Sequence, residues 1–150
     1  MKLSTRGRYG IRAMLDLAQH YDKGLVLVKD VAARQQISER YLEHLFLSLK
    51  TAGLVRSIRG ARGGFVLNSS PDRIRLIEIV RASESTWSLV ECVCDAGVCS
   101  RSTKCAARDI WVELQSVMDE MLGSLTLQDL LERQQAKEAN PEIVRLVSIE

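Results

Sequence analysis

The sequence has 150 residues, of which 46% are hydrophobic and 27% charged, with a formal net charge of +2. This length and hydrophobic content suit one globular domain with an ordinary core. No apolar run reaches the roughly 20 residues that cross a bilayer, and no apolar signal-peptide core follows the basic N-terminus. We therefore expect a cytoplasmic protein without a membrane partner, in a compartment that keeps thiols reduced.

Charge is distributed unevenly along the chain. Residues 1–75 contain 14 Lys and Arg against 6 Asp and Glu, a net +8, whereas the remaining residues contain 7 against 13, a net −6. A basic half joined to an acidic half is typical of a polyanion-binding module attached to a part that does not touch the polyanion. The same distribution also fits two solvated faces without a binding role.

Apolar residues recur at helical spacing in three N-terminal segments. The first covers residues 5–21, with Thr5 as its candidate cap, and a β-prone run at residues 25–28 follows it. The second begins at Lys29, and the third follows Ser38, which is another candidate cap. Two helices about four residues apart, the second opening with Ser, predict a helix-turn-helix with a recognition helix.

The segment after the third helix predicts a β-hairpin. Residues 54–59 and 65–67 form two short β-prone runs around the sequence GARGG, whose glycines permit a tight turn. A helix-turn-helix followed by such a hairpin is a winged helix. Arg59 and Arg62 place two positive charges on the wing, where they are either solvated hairpin charges or DNA contacts.

The second half of the chain predicts a short helix at residues 76–82 and a long helix at residues 103–123. The long helix has an apolar face wider than a surface helix needs. Its members are Ile110, Trp111, Leu114, Val117, Met118, Met121 and Leu122. We expect a second copy of the chain to cover this face and to fix the separation of two winged modules; burial within one chain is the alternative. Thr126 begins a capping box for a last helix.

All four cysteines lie close together, at Cys92, Cys94, Cys99 and Cys105. Thiols clustered among Gly, Ser and Asp predict a loop that wraps an iron–sulfur cluster or a zinc ion. A reducing compartment argues against two structural disulfides. Bare redox-active thiols are the third interpretation.

Three stretches resemble the IscR, CymR and NsrR group of bacterial winged-helix regulators, the Rrf family. They are KLSTRGRYGIRAMLDLA, ISERYLEHLFLSLKTAGLVRSIRGARGGFVL and TLQDLL. The resemblance implies a mainly α fold and a homodimer whose long helices cross, with each module reading one half-site of a double-stranded DNA operator. We divide the chain into a winged helix-turn-helix DNA-binding domain (1–83), a cysteine-rich cluster-binding loop (84–106), a dimerisation helix with a last helix (107–134) and a tail without an assigned role (135–150).

The resemblance also implies individual DNA contacts. It places them at Ser38, Arg40, Tyr41, Glu43 and Arg59, and their positions on the wing and the recognition helix add Arg62 and His44. Arg59 falls on a wing arginine that enters the minor groove, where a guanidinium suits a narrow, negative groove. Glu43 matches a glutamate that discriminates between operator classes, because a carboxylate accepts from cytosine and repels phosphate. Arg40 replaces a small residue of some relatives, which leaves the operator sequence open, and His44 either contacts DNA or supports the core.

Cluster-bearing members of this group carry three cysteines, the last two separated by five residues, and a histidine three positions further on. Cys99 and Cys105 keep that gap, and six residues lie between Cys92 and Cys99, but Arg108 stands at the histidine position. Arginine stays protonated and has no lone pair to offer. We therefore expect Cys94, or an acidic residue of the partner chain, as the fourth ligand of a two-iron two-sulfur cluster, with a four-iron four-sulfur cluster as the alternative.

These features together predict a homodimeric transcriptional regulator that senses cluster, redox or nitric oxide status. A zinc-stapled or cluster-free winged-helix regulator or interaction module with redox-active thiols is the alternative. The sequence has no Gly-rich phosphate loop, no histidine near a cysteine and no nucleophile motif. We therefore expect no enzymatic activity and no small-molecule substrate, and repression and activation of transcription both stay open.

Overall fold

The structure, a computed structural model, describes residues 3–141. Its helices and strands follow one another as α1 (Thr5–Gln19), α2 (Val28–Gln35), α3 (Glu39–Thr51), β1 (Val55–Ile58), β2 (Gly64–Leu67), α4 (Leu76–Ser83), α5 (Glu91–Cys94), α6 (Ala106–Ser124) and α7 (Leu127–Ala139). The fold is mainly α with a small two-stranded sheet, which confirms the predicted class. Within the described part of the chain, no helix is long and apolar enough to span a bilayer.

The helix-turn-helix consists of α2 and α3. Gln36 ends α2 in the left-handed conformation, with φ of 54°, and Ile37 is buried beneath the turn. The Ser38 hydroxyl then accepts a hydrogen bond from the Tyr41 amide at 3.2 Å. This contact confirms Ser38 as the cap of the recognition helix and satisfies one of the free amides of its first turn.

The wing is an antiparallel hairpin in which Val55 pairs with Leu67 and Ile58 with Gly64. Gly60 turns the chain with φ of 124°, a conformation that side chains rarely adopt. The prediction of a β-prone run at residues 25–28 is only partly right. Val26 forms a single bridge to Phe65, and α2 already begins at Val28.

The last helix returns to the winged domain instead of extending away with α6. Main-chain hydrogen bonds join Leu76 to Leu125 at 3.0 Å and Leu127 to Ile74 at 2.8 Å, so α4 and α7 begin side by side. Leu127 and Leu131 are buried in the same core as α1 and α3. The chain therefore leaves the core along α6 and comes back along α7.

Two predicted helix boundaries move. Ser4, and not Thr5, caps α1, because its hydroxyl accepts from the Arg6 and Gly7 amides. The long helix begins at Ala106 and not at residue 103, because a 3-10 turn and the extended backbone of Cys105 precede it. The capping box at Thr126 is confirmed. Of the unassigned tail, residues up to 139 continue α7, and residues 142–150 lie outside the described residues.

Candidate DNA interface and cysteine loop

The recognition helix α3 buries one face and exposes the opposite one. Leucines and a phenylalanine four or fewer residues apart form the buried face, namely Leu42, Leu45, Phe46 and Leu49. Arg40, Glu43 and His44 are exposed on the other side. His44 therefore does not support the core, and these three predicted side chains share a surface that is open to a ligand.

The buried face sets the rotation of α3, and hydrogen bonds lie on both of its flanks. On one flank, Lys50 Nζ donates to Ser57 Oγ of the wing at 2.7 Å. On the other flank, Arg6 of α1 donates to Ser48 Oγ at 3.3 Å. The surface between these flanks consequently points away from the protein, as docking into a major groove requires.

Tyr41 lies on the α1 flank and is half-buried. Its ring makes an edge contact with the ring of Tyr9, with centroids 5.4 Å apart. Burial raises the pKa of Tyr41 above its ordinary value, although Arg6 acts in the opposite direction. The phenol therefore stays protonated at neutral pH, and its ring ties the start of the recognition helix to α1.

The wing carries two exposed arginines. Arg59 and Arg62 lie on either side of the turn at Gly60. Among residues 3–141, neither guanidinium has a hydrogen-bond or ion-pair partner, so both are available to a phosphate or a groove. Their contact with DNA stays a prediction, as do the contacts of the α3 residues.

A buried ionic clamp that sequence analysis missed fixes α2 against α1. The Asp16 side chain is 0% exposed. Arg34 binds both of its oxygens, at 2.7 and 3.0 Å, and Gln35 donates to it at 3.0 Å. The hydrogen bonds to Asp16 raise the pKa of Arg34. Because α2 packs on α3, this clamp also helps to fix the position of the recognition helix.

The four cysteines lie in a loop between α4 and α6 that the short helix α5 interrupts. All four are free thiols, with Cys94 and Cys99 exposed and Cys92 and Cys105 half-buried. Within the described chain, no three potential ligands are arranged to hold a metal ion. Arg108, at the position of the expected histidine, donates from Nε to the Cys92 carbonyl at 2.7 Å. Its guanidinium thus ties the loop to the first turn of α6.

A polar network anchors the chain just before the cysteines. Asp119 of α6 accepts from Trp87 Nε1 at 2.6 Å, from Gln115 at 2.9 Å and from Arg81 at 2.7 Å. Burial favours a higher pKa for Asp119, but these three hydrogen bonds outweigh it and hold the pKa below its ordinary value. Gln115 also accepts from the Leu89 amide at 2.9 Å. The network joins α4, the loop and α6.

Glu84, at the end of α4, joins this region to α1. Its carboxylate accepts from Ser4 Oγ at 2.7 Å and from the Gly7 amide at 3.2 Å. A carboxylate at the N-terminus of a helix also interacts favourably with the helix dipole. The hydrogen bonds of Glu84 therefore fix the start of α1 from the side of the cysteine loop. The same part of α1 contacts α3 through Arg6 and Tyr9.

The apolar face predicted on α6 divides into two parts, apart from Trp111, which is exposed beside the stripe described below. Met118 and Leu122 are half-buried against their own chain. The other part is an exposed stripe at the 4-3-4 spacing of a helix pair, formed by Ile110, Leu114, Val117 and Met121. Burial within one chain, the alternative to a partner, thus accounts for only the first part among the described residues.

Comparison with known proteins identifies the relatives of this chain. The family model Rrf2, described as iron-dependent transcriptional regulator, matches residues 3–133. The chain belongs to the Rrf2 family. It is 42% identical over 130 residues to the transcriptional regulator CymR of Bacillus subtilis, covering 87% of this chain and 89% of CymR.

Solved structures of Rrf2-family proteins agree with this assignment. The structure of CymR, the global cysteine regulator of B. subtilis, matches with a TM-score of 0.73 at 41% identity, over 89% of this chain and 98% of that one. IscR of T. potens also matches with a TM-score of 0.73, at 38% identity over 93% and 91% of the two chains. The predicted family is confirmed, and this Rrf2 protein is a DNA-binding transcriptional regulator, not an enzyme.

The structure brings several of the predicted site residues together, but sequence analysis missed the residues that join them. Arg40, Glu43 and His44 of α3 and Arg59 and Arg62 of the wing are exposed, Tyr41 is half-buried against α1, and the four cysteines share one loop. Asp16, Glu84 and Asp119 were not predicted, because each acts through partners far away in sequence. An acidic residue inside the apolar face of a predicted helix, as at Asp16, is the one signal that could have revealed a buried clamp.

Proposed function

We propose that this Rrf2 protein is a homodimeric, cytoplasmic regulator whose DNA binding responds to an iron–sulfur cluster held by the cysteine loop. The supporting observation is the position of the loop. It is bound to α6 through Arg108 and, through Trp87 and Asp119, to the helices that support the recognition helix. A change in the loop would therefore act on contacts that end at the DNA-binding surface.

The chemistry of the loop fits a cluster. Four unpaired thiols suit iron, because thiolate is the usual ligand of iron–sulfur clusters. Ser102, between Cys99 and Cys105, is 8% exposed, and its buried hydroxyl has no hydrogen-bond partner among the described residues. A buried hydroxyl without a partner is costly, and cluster sulfur is an acceptor that would satisfy it.

In this proposal Cys92, Cys99 and Cys105 hold the cluster, with Cys94 or an acidic residue of the partner chain as the fourth ligand. A bound cluster supplies a centre that oxidants and nitric oxide can reach, since the loop is largely exposed. Arg108 cannot be a ligand. Its role is to position Cys92 by holding the carbonyl of that residue.

Coupling to DNA uses contacts already described. Asp119 of α6 binds both Trp87, just before the loop, and Arg81 of α4. Glu84 at the end of α4 binds Ser4 and Gly7 at the start of α1. Arg6 and Tyr9 on α1 then contact α3. If ligation favours one arrangement of this chain of contacts by about 1.4 kcal/mol, DNA affinity changes tenfold.

Docking on DNA would place α3 in the major groove and the wing beside it. Ser38, Arg40, Tyr41, Glu43 and His44 of α3, and Arg59 and Arg62 of the wing, are the proposed contacts. The exposed stripe on α6 would pair with the same stripe of a second copy, so that two α3 helices meet successive half-sites.

A second candidate is a cluster-free regulator with redox-active thiols. Two observations favour it: Cys94 and Cys99 are exposed, and the described residues hold no preformed metal site. A zinc-stapled module is the third arrangement that the same cysteines allow.

Anaerobic metal and sulfide analysis of the protein and of four Cys→Ala variants separates these candidates. The cluster proposal predicts a brown protein with equimolar iron and sulfide, and loss of both in the Cys92, Cys99 and Cys105 variants. Loss in the Cys94 variant would identify Cys94 as the fourth ligand, and retention would point to the partner chain. Zinc without sulfide would favour the stapled module, and a colourless, metal-free protein would favour the thiol regulator.

A further inference from the structure

The recognition helix exposes one large apolar side chain that none of the proposed DNA contacts includes. Leu47 of α3 is 60% exposed. Arg40 precedes it by seven residues and His44 by three, so all three side chains lie on the same side of the helix. Leu47 therefore stands in the middle of a surface that is otherwise polar and charged.

The surroundings of Leu47 exclude a place in the core of its own chain. Ser48, on one side, is held by Arg6 of α1, and Lys50, on the other, is held by Ser57 of the wing. Leu47 lies between these two directions, on the outward side of α3. The buried face of α3 lies on the opposite side of the helix, so Leu47 cannot enter the core without moving that face out of it.

The charges around Leu47 favour a nucleic acid over an apolar protein surface. Three cations, Arg6, Arg40 and Lys50, are exposed near it against one carboxylate, that of Glu43, four residues earlier. This net positive border suits phosphates on both sides of a groove. In the major groove, the 5-methyl group of thymine is the apolar group that base edges present. A leucine that points into the groove between phosphate-binding cations has this methyl group as its natural contact.

We infer that Leu47 is a specificity-determining residue that packs against a thymine methyl group in each half-site. The inference rests on the proposed docking of α3 in the major groove. Seven helical residues separate Arg40 from Leu47 by about 10.5 Å along α3. The thymine read by Leu47 is therefore a different base from the one that faces Arg40.

The operator is first identified by in vitro selection of DNA sequences that bind the full chain. Each thymine of one half-site is then replaced in turn by deoxyuridine, which lacks only the methyl group. Affinities are measured for the wild type and for Leu47→Ala. One replacement should weaken wild-type binding about fourfold, because the burial of one methyl group is lost. The same replacement should have no effect on Leu47→Ala. Leu47→Met, which keeps an apolar side chain, should retain the sensitivity.

Two results would overturn the inference. One is a wild type that tolerates deoxyuridine at every position of the half-site, and the other is a Leu47→Ala variant with the same sensitivity as the wild type. Replacements outside the half-sites control for changes in DNA flexibility. A selection that yields no consensus sequence would refute sequence-specific docking and, with it, this inference. A protein that lacks a cluster but still selects an operator would refute only the cluster proposal, and the deoxyuridine test would still apply.

Discussion

Removing Arg34 should expose how strongly the helix-turn-helix depends on its buried clamp. Arg34→Ala leaves the Asp16 carboxylate, which is 0% exposed, with Gln35 and His20 as its remaining polar contacts among residues 3–141. Breaking a buried ion pair from one side costs about 3–5 kcal/mol. Because the Arg34 side chain is 38% exposed, we expect the low end, about 3 kcal/mol, which lowers the melting temperature of a chain of this size by about 6–12 °C.

The assay is thermal and urea denaturation followed by circular dichroism. Arg73→Ala is the matched control, because Arg73 is exposed and has no partner among residues 3–141, and its free energy of unfolding should change by less than about 0.5 kcal/mol. Adding Asp16→Asn to Arg34→Ala removes the unpaired charge, so the double variant should be more stable than Arg34→Ala alone. A loss below about 1 kcal/mol in Arg34→Ala, or a double variant that is less stable, would refute the clamp.

Three further predictions concern the wing, the long helix and acid stability. Arg59→Ala should weaken operator binding and reduce the slope of log affinity against log salt by about 1, because the interface loses one cation. An isotherm and slope equal to those of Arg73→Ala would exclude Arg59 from the interface. Val117→Asp puts a charge in the exposed stripe of α6, where Val117 is 61% exposed, and should convert a dimer to a monomer, as measured by light scattering. Ser116→Asp, outside the stripe, should leave the dimer intact. If both variants remain dimeric, the stripe is not the interface. The pKa of Asp119 is lower in the folded protein than its unfolded value of about 3.9, so its ionised form stabilises the fold. This stabilisation is complete above the unfolded pKa and is lost as the pH falls through the folded pKa. Asp119→Asn should therefore flatten the pH dependence of the free energy of unfolding below about pH 4, and an unchanged curve would contradict the assignment.

Local patterns in the sequence predicted the elements of the fold well. Apolar spacing predicted α1, α3 and α6, and the side chains of Ser38 and Thr126 marked two helix starts, since capping depends on residues three positions apart. The errors arose where two local signals compete. Ser4 and Thr5 are both good caps, and the β-prone residues near Val26 lie next to a helix start, so tertiary contacts decide both cases.

The sequence predicted which residues form the candidate site, but not the hydrogen bonds that connect them. The positions of Arg59 and of the cysteines followed from the hairpin and the spacing of the thiols. The hydrogen bonds that connect the loop region to α1 and α6 did not, because Glu84 lies 80 residues from Ser4 and Trp87 lies 32 residues from Asp119. Hydrogen bonds of this range depend on how α1, α4 and α6 pack, which no local pattern encodes.

The claim that the cysteine loop controls DNA binding is tested most directly by operator titration of anaerobically reconstituted protein, with and without its cluster. The proposed coupling predicts that the two forms differ about tenfold in affinity, or prefer different operators. Equal binding by both forms across several operators would contradict it.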